Sequence, residues 1–167
     1  MAKKLTSICI ALMICFFSVS NLSAQNRHPE DVVKKVRELA DTLAENKNSV
    51  EDIEWKWGEE GNYAFLIDCD SIKMVNHPVK PALEGQDLSN LQDKTGSYFF
   101  LEYCTMANDN PEKGGWVEYW WPKPNEEEPS RKLSYVYSVP GESSKVICSG
   151  VYTDEFTQEE LNKRLQD

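Results

Sequence analysis

The chain has 167 residues, with 28 Asp and Glu against 18 Lys and Arg, and a formal charge of −10 at pH 7. This acidity is unfavourable for binding nucleic acid or an anionic membrane surface, because both would repel the protein. It does not exclude a small anionic ligand, since a binding pocket responds first to nearby charges and salt screens distant ones over about 10 Å. We therefore expect no nucleic acid and no bilayer surface among its partners.

The first 24 residues have the pattern of a secretory signal peptide. Two lysines precede an apolar run over residues 8–17, and a small, polar tract ends at Ala24. The run is too short to span a bilayer comfortably, and no later stretch approaches the roughly 20 apolar residues of a transmembrane helix. We predict cleavage after Ala24. This leaves residues 25–167 as one exported domain, periplasmic or extracellular, without a transmembrane anchor. Because two lysines and no acids are lost, its formal charge is −12.

Three cysteines, Cys69, Cys104 and Cys148, remain in the predicted mature chain. An odd number spread this widely is not a disulfide framework, and a domain of this length can hold its core without one. We favour the interpretation that all three are small apolar core residues, and one bridge in an oxidising compartment stays open. No Cys or His spacing is typical of zinc, so we expect no metal site and no cofactor.

Hydrophobic periodicity, capping signals and turn residues predict an α+β domain with five strands. The first helix has a buried stripe at Val32, Val36, Leu39 and Leu43. A later helix has Phe100, Leu101 and Cys104 on one face. In chain order the predicted elements are a helix over Pro29–Lys47, a short helix capped by Ser49, strands over Tyr63–Asp68 and Ile72–His77, a helical turn over Asp87–Leu91, a helix over Ser97–Ala107, strands over residues 115–123, 131–139 and 144–153, and a C-terminal helix behind a Thr157–Glu160 capping box.

Six segments resemble, in order and spacing, the motifs of one known family. They are residues 63–68 (YAFLID), 75–78 (VNHP), 84–88 (EGQDL), 115–124 (GWVEYWWPKP), 132–136 (KLSYV) and 150–154 (GVYTD). The family is the single-Cache sensor domain, the extracellular relative of PAS domains. The chain departs from the family pattern at Asp70-Ser71 and at Cys148, where glycine is common.

The resemblance implies a PAS-like five-stranded antiparallel sheet, with the long N-terminal helix on one face and short helices over the other. It also implies a pocket for a small metabolite, often a short carboxylate or an amino acid. In this family the ligand lies over the sheet, beneath the segments that connect strands two and three. Such domains usually sit between two membrane helices of a chemoreceptor or kinase. We see neither helix here, so we expect a stand-alone domain.

Strand alternation selects the residues that would line such a pocket. Tyr119 and Trp121 share one face of the third strand, while Lys132 and Ser134 share one face of the fourth. Together they would supply apolar walls, two hydroxyl groups and one cation, which suits a carboxylate with a short tail. His77, at the end of the second strand, would add a hydrogen-bond donor. We therefore predict these five residues as the ligand-binding site.

Each of these residues also has an alternative role that the sequence leaves open. The tryptophans could be ordinary packing residues, and His77 before a proline could be a capped surface residue. Lys132 could pair with Glu118 or with a loop acid across the sheet. A second functional hypothesis follows from the other face of the third strand, where Trp116 and Trp120 could dock a membrane or envelope partner without any ligand.

We interpret the chain as a sensor or binding module for a short organic acid or amino acid. In this hypothesis its ligand-bound form is presented to a membrane-bound signalling partner. The mature chain contains only His28 and His77 as histidines, and no motif pairs a nucleophile with a base. We therefore expect no enzymatic activity.

Overall fold

The computed structural model describes residues 28–45, 49–58 and 61–166, so the predicted signal peptide and its cleavage site lie outside the described residues. Within these ranges no helix is long and apolar enough to cross a membrane. The elements are helices α1 (Pro29–Glu45), α2 (Phe99–Asp109) and α3 (Gln158–Arg164), strands β1 (Lys56–Trp57), β2 (Asn62–Asp68), β3 (Lys73–Asn76), β4 (Gly115–Pro122), β5 (Pro129–Val139) and β6 (Glu142–Tyr152), and 3-10 turns over Val50–Asp52 and Pro81–Leu83.

The strands form one antiparallel sheet in the order β3-β2-β6-β5-β4. A sixth strand, β1, was not predicted. It pairs with the first half of β2, at Lys56↔Tyr63 and Trp57↔Asn62. β3 pairs with the second half of β2 along the same edge. With helices on both faces of the sheet, the α+β class and the PAS-like arrangement are confirmed.

Helix α1 covers one face of the sheet. Pro29 occupies its first position, and Glu30 and Asp31 lie in the first turn, where the helix dipole favours acidic residues. The predicted stripe of Val32, Val36, Leu39 and Leu43 is buried. It packs in one apolar cluster with Leu66, Leu133 and Ile147 of the central strands.

Helix α2 covers the opposite face. Its buried residues are Phe99, Phe100, Tyr103, Cys104 and Ala107, while Leu101, which was predicted on this face, is 37% exposed. A period of 3.6 residues turns position 101 away from the sheet when 100 and 104 face it. The prediction that all the shorter helices cover this face was wrong for α3, since Leu161 packs in the α1-face cluster.

Two local predictions were wrong in detail. Ser49 precedes a 3-10 turn, Val50–Asp52, and its side chain makes no capping hydrogen bond. Asp87–Leu91 is a turn, and the helical segment lies upstream at Pro81–Leu83, where proline suits the first position. The C-terminal capping box is confirmed, with Thr157 and Glu160 each bonding the other's backbone N–H through their side chains.

A disulfide joins Cys69 to Cys104. It ties the end of β2 to α2, because Cys104 lies on the sheet-facing side of the helix above the β2–β3 turn. The favoured interpretation of three unpaired cysteines is therefore wrong for these two, and the alternative of one bridge is the one observed. Cys148 is free and fully buried on β6.

The outer edge of β4 is covered by side chains. The backbone N–H groups of Trp116, Glu118 and Trp120 all point away from β5, and each donates to a side-chain oxygen. The acceptors are, in the same order, Asn162 at 2.7 Å, Gln158 at 2.9 Å and Asp93 at 2.9 Å. Two of the three lie on α3, so this helix both completes the core and caps the sheet.

Candidate functional site

A lysine lies in the middle of the α2 face. Lys132 is on β5, directly opposite Tyr119 of β4 and Tyr152 of β6. Its side chain is only 1% exposed, which is rare for a lysine. The ammonium Nζ donates one hydrogen bond, to the Tyr63 hydroxyl at 2.9 Å. Two of its three N–H groups are therefore left without an acceptor in the described part of the chain.

Aromatic rings surround this ammonium group. Nζ lies 4.5 Å from the ring centre of Tyr63, 5.1 Å from Tyr152, 5.7 Å from Phe65 and 5.8 Å from Tyr119. Cation–π attraction of this kind partly compensates for the water that the charge has lost. The rings also form apolar walls next to the charge.

No carboxylate of the described ranges forms an ion pair with Lys132. The alternative pairing with Glu118 is wrong, because Glu118 lies on the other face and binds Arg131 at 2.6 Å. Burial acts to lower the pKa of Lys132, while Tyr119, Tyr63 and Tyr152 act to raise it, and the net shift is upward. Lys132 is thus a buried cation without an anionic partner.

His77 is a second buried donor in the same cluster. It is 2% exposed, and its ring stacks on Phe65 at 5.2 Å, so the alternative of a surface residue is wrong. Its Nδ1 accepts from the backbone N–H of Lys80 at 3.0 Å. The ring proton therefore lies on Nε2, which has no hydrogen-bond partner in the described structure. Burial, Lys132 and Lys80 together lower the pKa of His77 to about 3, so the imidazole is neutral at physiological pH.

The remaining predicted site residues also face α2. Tyr119 and Ser134 are buried, and their hydroxyl oxygens share a hydrogen bond of 3.0 Å. Trp121 is half-buried, with Phe99 edge-on at 5.6 Å and the Lys80 ammonium 4.6 Å above its ring. The structure therefore brings His77, Tyr119, Lys132 and Ser134 together and places Trp121 at the rim of the cluster, beside Tyr119.

Four aromatic members of this cluster were not predicted from the sequence. They are Tyr63, Phe65, Tyr103 and Tyr152. Alternation along β2 indicates that Tyr63 and Phe65 share a face, but assigning that face requires the register between β2 and β6. Tyr103 was within a predicted helix, and its spacing from Phe100 and Ala107 was the signal that it points inward.

A glycine shapes the sheet beneath the cluster. Gly150 of β6 is directly opposite Ser134. A Cβ atom built on Gly150 would lie 2.4 Å from the Ser134 hydroxyl oxygen and 2.3 Å from the Leu133 carbonyl oxygen. No larger residue fits without moving the backbone of β5. The glycine therefore allows the hydroxyl group of Ser134 to lie close to β6.

Chemically, the cluster is a set of donors within apolar walls. The ammonium of Lys132, the hydroxyl of Tyr63 and the ring of His77 lie in one cluster on the α2 face, where Lys132 bonds Tyr63 at 2.9 Å and the rings of Tyr63 and His77 are 5.2 Å apart. Such a set is suited to a carboxylate, because a charged donor and neutral donors together form strong hydrogen bonds to it. No group of three or more metal-ligating side chains occurs in residues 28–45, 49–58 and 61–166.

The two tryptophans considered for partner docking, Trp116 and Trp120, are not exposed as that hypothesis requires. Trp116 is 1% exposed and packs under α1 and α3, so it is a core residue. Trp120 is half-buried, and the ammonium of Lys94 lies 3.2 Å from the centre of its ring. The other face of β4 therefore does not present a pair of exposed tryptophans.

Residues 26–162 match the family model of the Cache domain, and the chain belongs to this family. It is similar to the methyl-accepting chemotaxis protein McpP of Pseudomonas putida, with 39% identity over 103 residues. It is also similar to the sensor histidine kinase MctS of Rhizobium johnstonii, with 31% identity over 99 residues. These alignments cover 62% and 59% of the chain but only 18% and 20% of the two relatives. The chain thus matches about a fifth of each of these longer proteins.

Solved structures show the same fold. A periplasmic sensor domain of a chemotaxis protein has a TM-score of 0.60 and 26% identity, and covers 75% of this chain and 92% of its own. A Cache chemosensory domain solved for its recognition of carboxylic acids has a TM-score of 0.59 and 27% identity, with coverages of 74% and 88%. A methyl-accepting chemotaxis protein from Vibrio parahaemolyticus has a TM-score of 0.56, 26% identity and coverages of 75% and 84%.

Proposed function

We propose that this protein is an exported Cache sensor domain that binds a short monocarboxylic acid, with the ligand carboxylate on Lys132. The observation that carries the proposal is the buried ammonium without an anionic partner. Burying a charge is costly unless it is paired and hydrogen-bonded. A ligand carboxylate would provide the missing charge, and would accept hydrogen bonds from Tyr63 and His77 beside it.

The residues around Lys132 favour a monocarboxylate over an amino acid. The ammonium group of an amino acid would be repelled by the nearby Lys132 ammonium, and no carboxylate of the described cluster would offset that repulsion. Phe65 and the ring of Tyr119, whose centres lie 5.7 and 5.8 Å from the Lys132 ammonium, suit a short alkyl chain. The carboxylic acid recognition of a structural neighbour with 27% identity gives the same ligand class independent support.

The similar proteins support a cellular role in sensing outside the cytoplasm. One similar structure is a periplasmic sensor domain, and the similar curated proteins are a chemotaxis receptor and a sensor histidine kinase. Together with the predicted signal peptide, these support a domain that works outside the cytoplasm. There it would present its ligand-bound form to a membrane-bound signalling partner. In this role it needs no cofactor and catalyses no reaction.

Calorimetric titration of residues 25–167 with propionate, alanine and succinate tests the proposal. We expect propionate to bind and the other two to bind at least tenfold more weakly. Lys132→Met should weaken propionate binding by roughly ten- to a hundredfold, since hydrogen bonds to a charged group are worth about 1.5–3 kcal/mol.

The matched control is Lys145→Met. Lys145 lies on the same sheet, but it pairs with Asp68 at 2.7 Å at the other end of β6. Its replacement removes the same charge from the protein and should leave propionate affinity unchanged. If no acid binds the wild-type protein, the ligand-free interaction module becomes the better hypothesis. If propionate binds equally well to Lys132→Met, the ligand site lies elsewhere.

A further inference from the structure

The side of α2 that points away from the sheet is partly apolar. Tyr98, which directly precedes the helix, is 43% exposed, and Leu101 is 37% exposed. They are the only large hydrophobic side chains in the described part of the chain that are this exposed. Single exposed apolar residues are ordinary, but these two lie about one helical turn apart and line the same groove. They form one apolar patch at the start of α2.

The groove, which we call the α2 groove, has a volume of about 530 Å³. Thr105 and Met106 continue its wall along α2, and Val117 of β4 and Gln158 of α3 also line it. The side chain of Gln158 is held in place because it accepts a hydrogen bond from the backbone N–H of Glu118 at 2.9 Å. Three elements of the fold therefore form a concave surface along the outer side of α2.

Two carboxylates give the α2 groove a negative charge. Glu102 and Asp109 both line it, neither forms an ion pair among the described residues, and no lining residue is a lysine or arginine. Glu102 accepts a hydrogen bond from the Ser97 hydroxyl at 2.6 Å, which leaves its charge unpaired. The next basic residue of the chain, Lys113, lines a neighbouring groove.

The apolar and acidic residues share one stripe of the helix. At 3.6 residues per turn, positions 101, 102, 105 and 109 fall within an arc of about 100° on the surface of α2. The two carboxylates are seven residues apart, which places them roughly 10 Å from each other along the helix axis. Two residues seven positions apart on a second helix have the same separation, so a helix lying along α2 matches this spacing.

The charge of the groove selects its occupant. The strongly negative net charge of the chain disfavours a second copy, and an anionic membrane would be repelled in the same way. A partner with lysine or arginine side chains would instead pair with Glu102 and Asp109. An apolar side chain of the same partner would cover Leu101 and Tyr98.

We infer that the α2 groove is the docking surface for a cationic amphipathic helix of a protein partner. This goes beyond the proposed function, because docking requires no ligand at Lys132. The position suits a signalling partner, since the inner side of α2 packs on the residues of the proposed ligand site. Phe99 of this helix stacks on Tyr119 at 4.5 Å.

Selection from a random peptide library tests the inference. Peptides of about 16 residues, enough for about four helical turns, would be selected on residues 25–167 and measured one by one by fluorescence anisotropy. We expect the binders to carry lysine or arginine about seven residues apart, with apolar residues between them. Glu102→Lys combined with Asp109→Lys should weaken their binding at least about tenfold, because like charges then face each other. Leu101→Ser should weaken it roughly three- to tenfold through the loss of an apolar contact.

The matched control is Glu127→Lys combined with Glu128→Lys. It makes the same charge change on the exposed loop between β4 and β5 and should alter affinity by less than about threefold, since salt screens distant charges. The inference is overturned if no peptide is enriched, if the binders lack basic residues, or if the groove and loop variants bind them equally. It is also overturned if the protein dimerises in sedimentation and Leu101→Ser makes it monomeric. No carboxylic acid is present in these measurements, so each of these failures leaves the proposed function standing.

Discussion

The two faces of the sheet use neighbouring residues for different purposes. On β5, Leu133 and Tyr135 face α1, while Lys132 and Ser134 face α2. The buried hydroxyl of Tyr135 on the α1 face is satisfied by the chain, since it donates to the Lys113 carbonyl at 2.6 Å. On the α2 face Lys132 keeps unused donors. Both faces are buried cores, but among the described residues only the α2 face combines its apolar packing with a buried lysine that keeps unused donors, which supports the proposed ligand site there.

The largest expected effect is on the α1 face. Leu133→Ala should lower the free energy of unfolding by about 2–5 kcal/mol, because it leaves a cavity in a fully buried apolar cluster. Urea unfolding monitored by tryptophan fluorescence measures it. Ser134→Ala, one residue away on the α2 face, is the control and should cost about 1 kcal/mol, the value of one neutral hydrogen bond. Equal losses at the two positions would contradict the division between the faces.

A smaller effect should appear in the pH dependence of stability. The pKa of His77 is about 3 in the folded protein against an ordinary 6.5, so the unfolded state takes up the proton first. The contribution of neutral His77 to the free energy of unfolding is present above pH 6.5 and is lost as the pH falls toward 3. Between pH 6.5 and 5 the wild-type protein should lose about 2 kcal/mol more than His77→Gln, at roughly 1.4 kcal/mol per pH unit. Parallel curves for the two proteins would mean that His77 is not buried neutral.

The smallest expected effect is at Lys132 without ligand. Lys132→Met should change the free energy of unfolding by less than about 1 kcal/mol, because removal of a buried charge is offset by loss of its hydrogen bond to Tyr63 and its contacts with the surrounding rings. Thermal unfolding of the ligand-free protein measures this. A clear loss of stability would show that Lys132 supports the fold, and its role would then be structural, like that of Leu133 on the α1 face.

The sequence was sufficient where a single element decides the outcome. Alternation placed Tyr119, Lys132 and Ser134 on the correct face, and helical spacing identified the stripe of α1. It was insufficient where two distant segments meet. No sequence pattern identifies Tyr63 as a member of the cluster, since its role depends on β2 lying beside β6. The partnership of Cys69 with Cys104 likewise depends on where α2 crosses the sheet.

Short elements and narrow differences in angle account for the other errors. β1 has only two residues, which is too few to show an alternating pattern in the sequence. It is a strand only because it pairs with β2. Leu101 differs from Phe100 by a single step around α2, which separates a buried side chain from an exposed one. The face on which Tyr119, Lys132 and Ser134 lie was therefore predicted better than their surroundings, because these residues lie on long, strongly alternating strands.

The covered edge of β4 restricts how the domain can assemble with other proteins. Its outward N–H groups, from Trp116, Glu118 and Trp120, are already bonded to side chains. At the opposite edge, β3 forms bridges to Glu84 and Asp87. An incoming strand would have to displace these bonds before it could extend the sheet. At these two edges a partner would therefore have to recognise side chains, and the same protection disfavours edge-to-edge pairing of folded copies through β3 or β4 at high concentration.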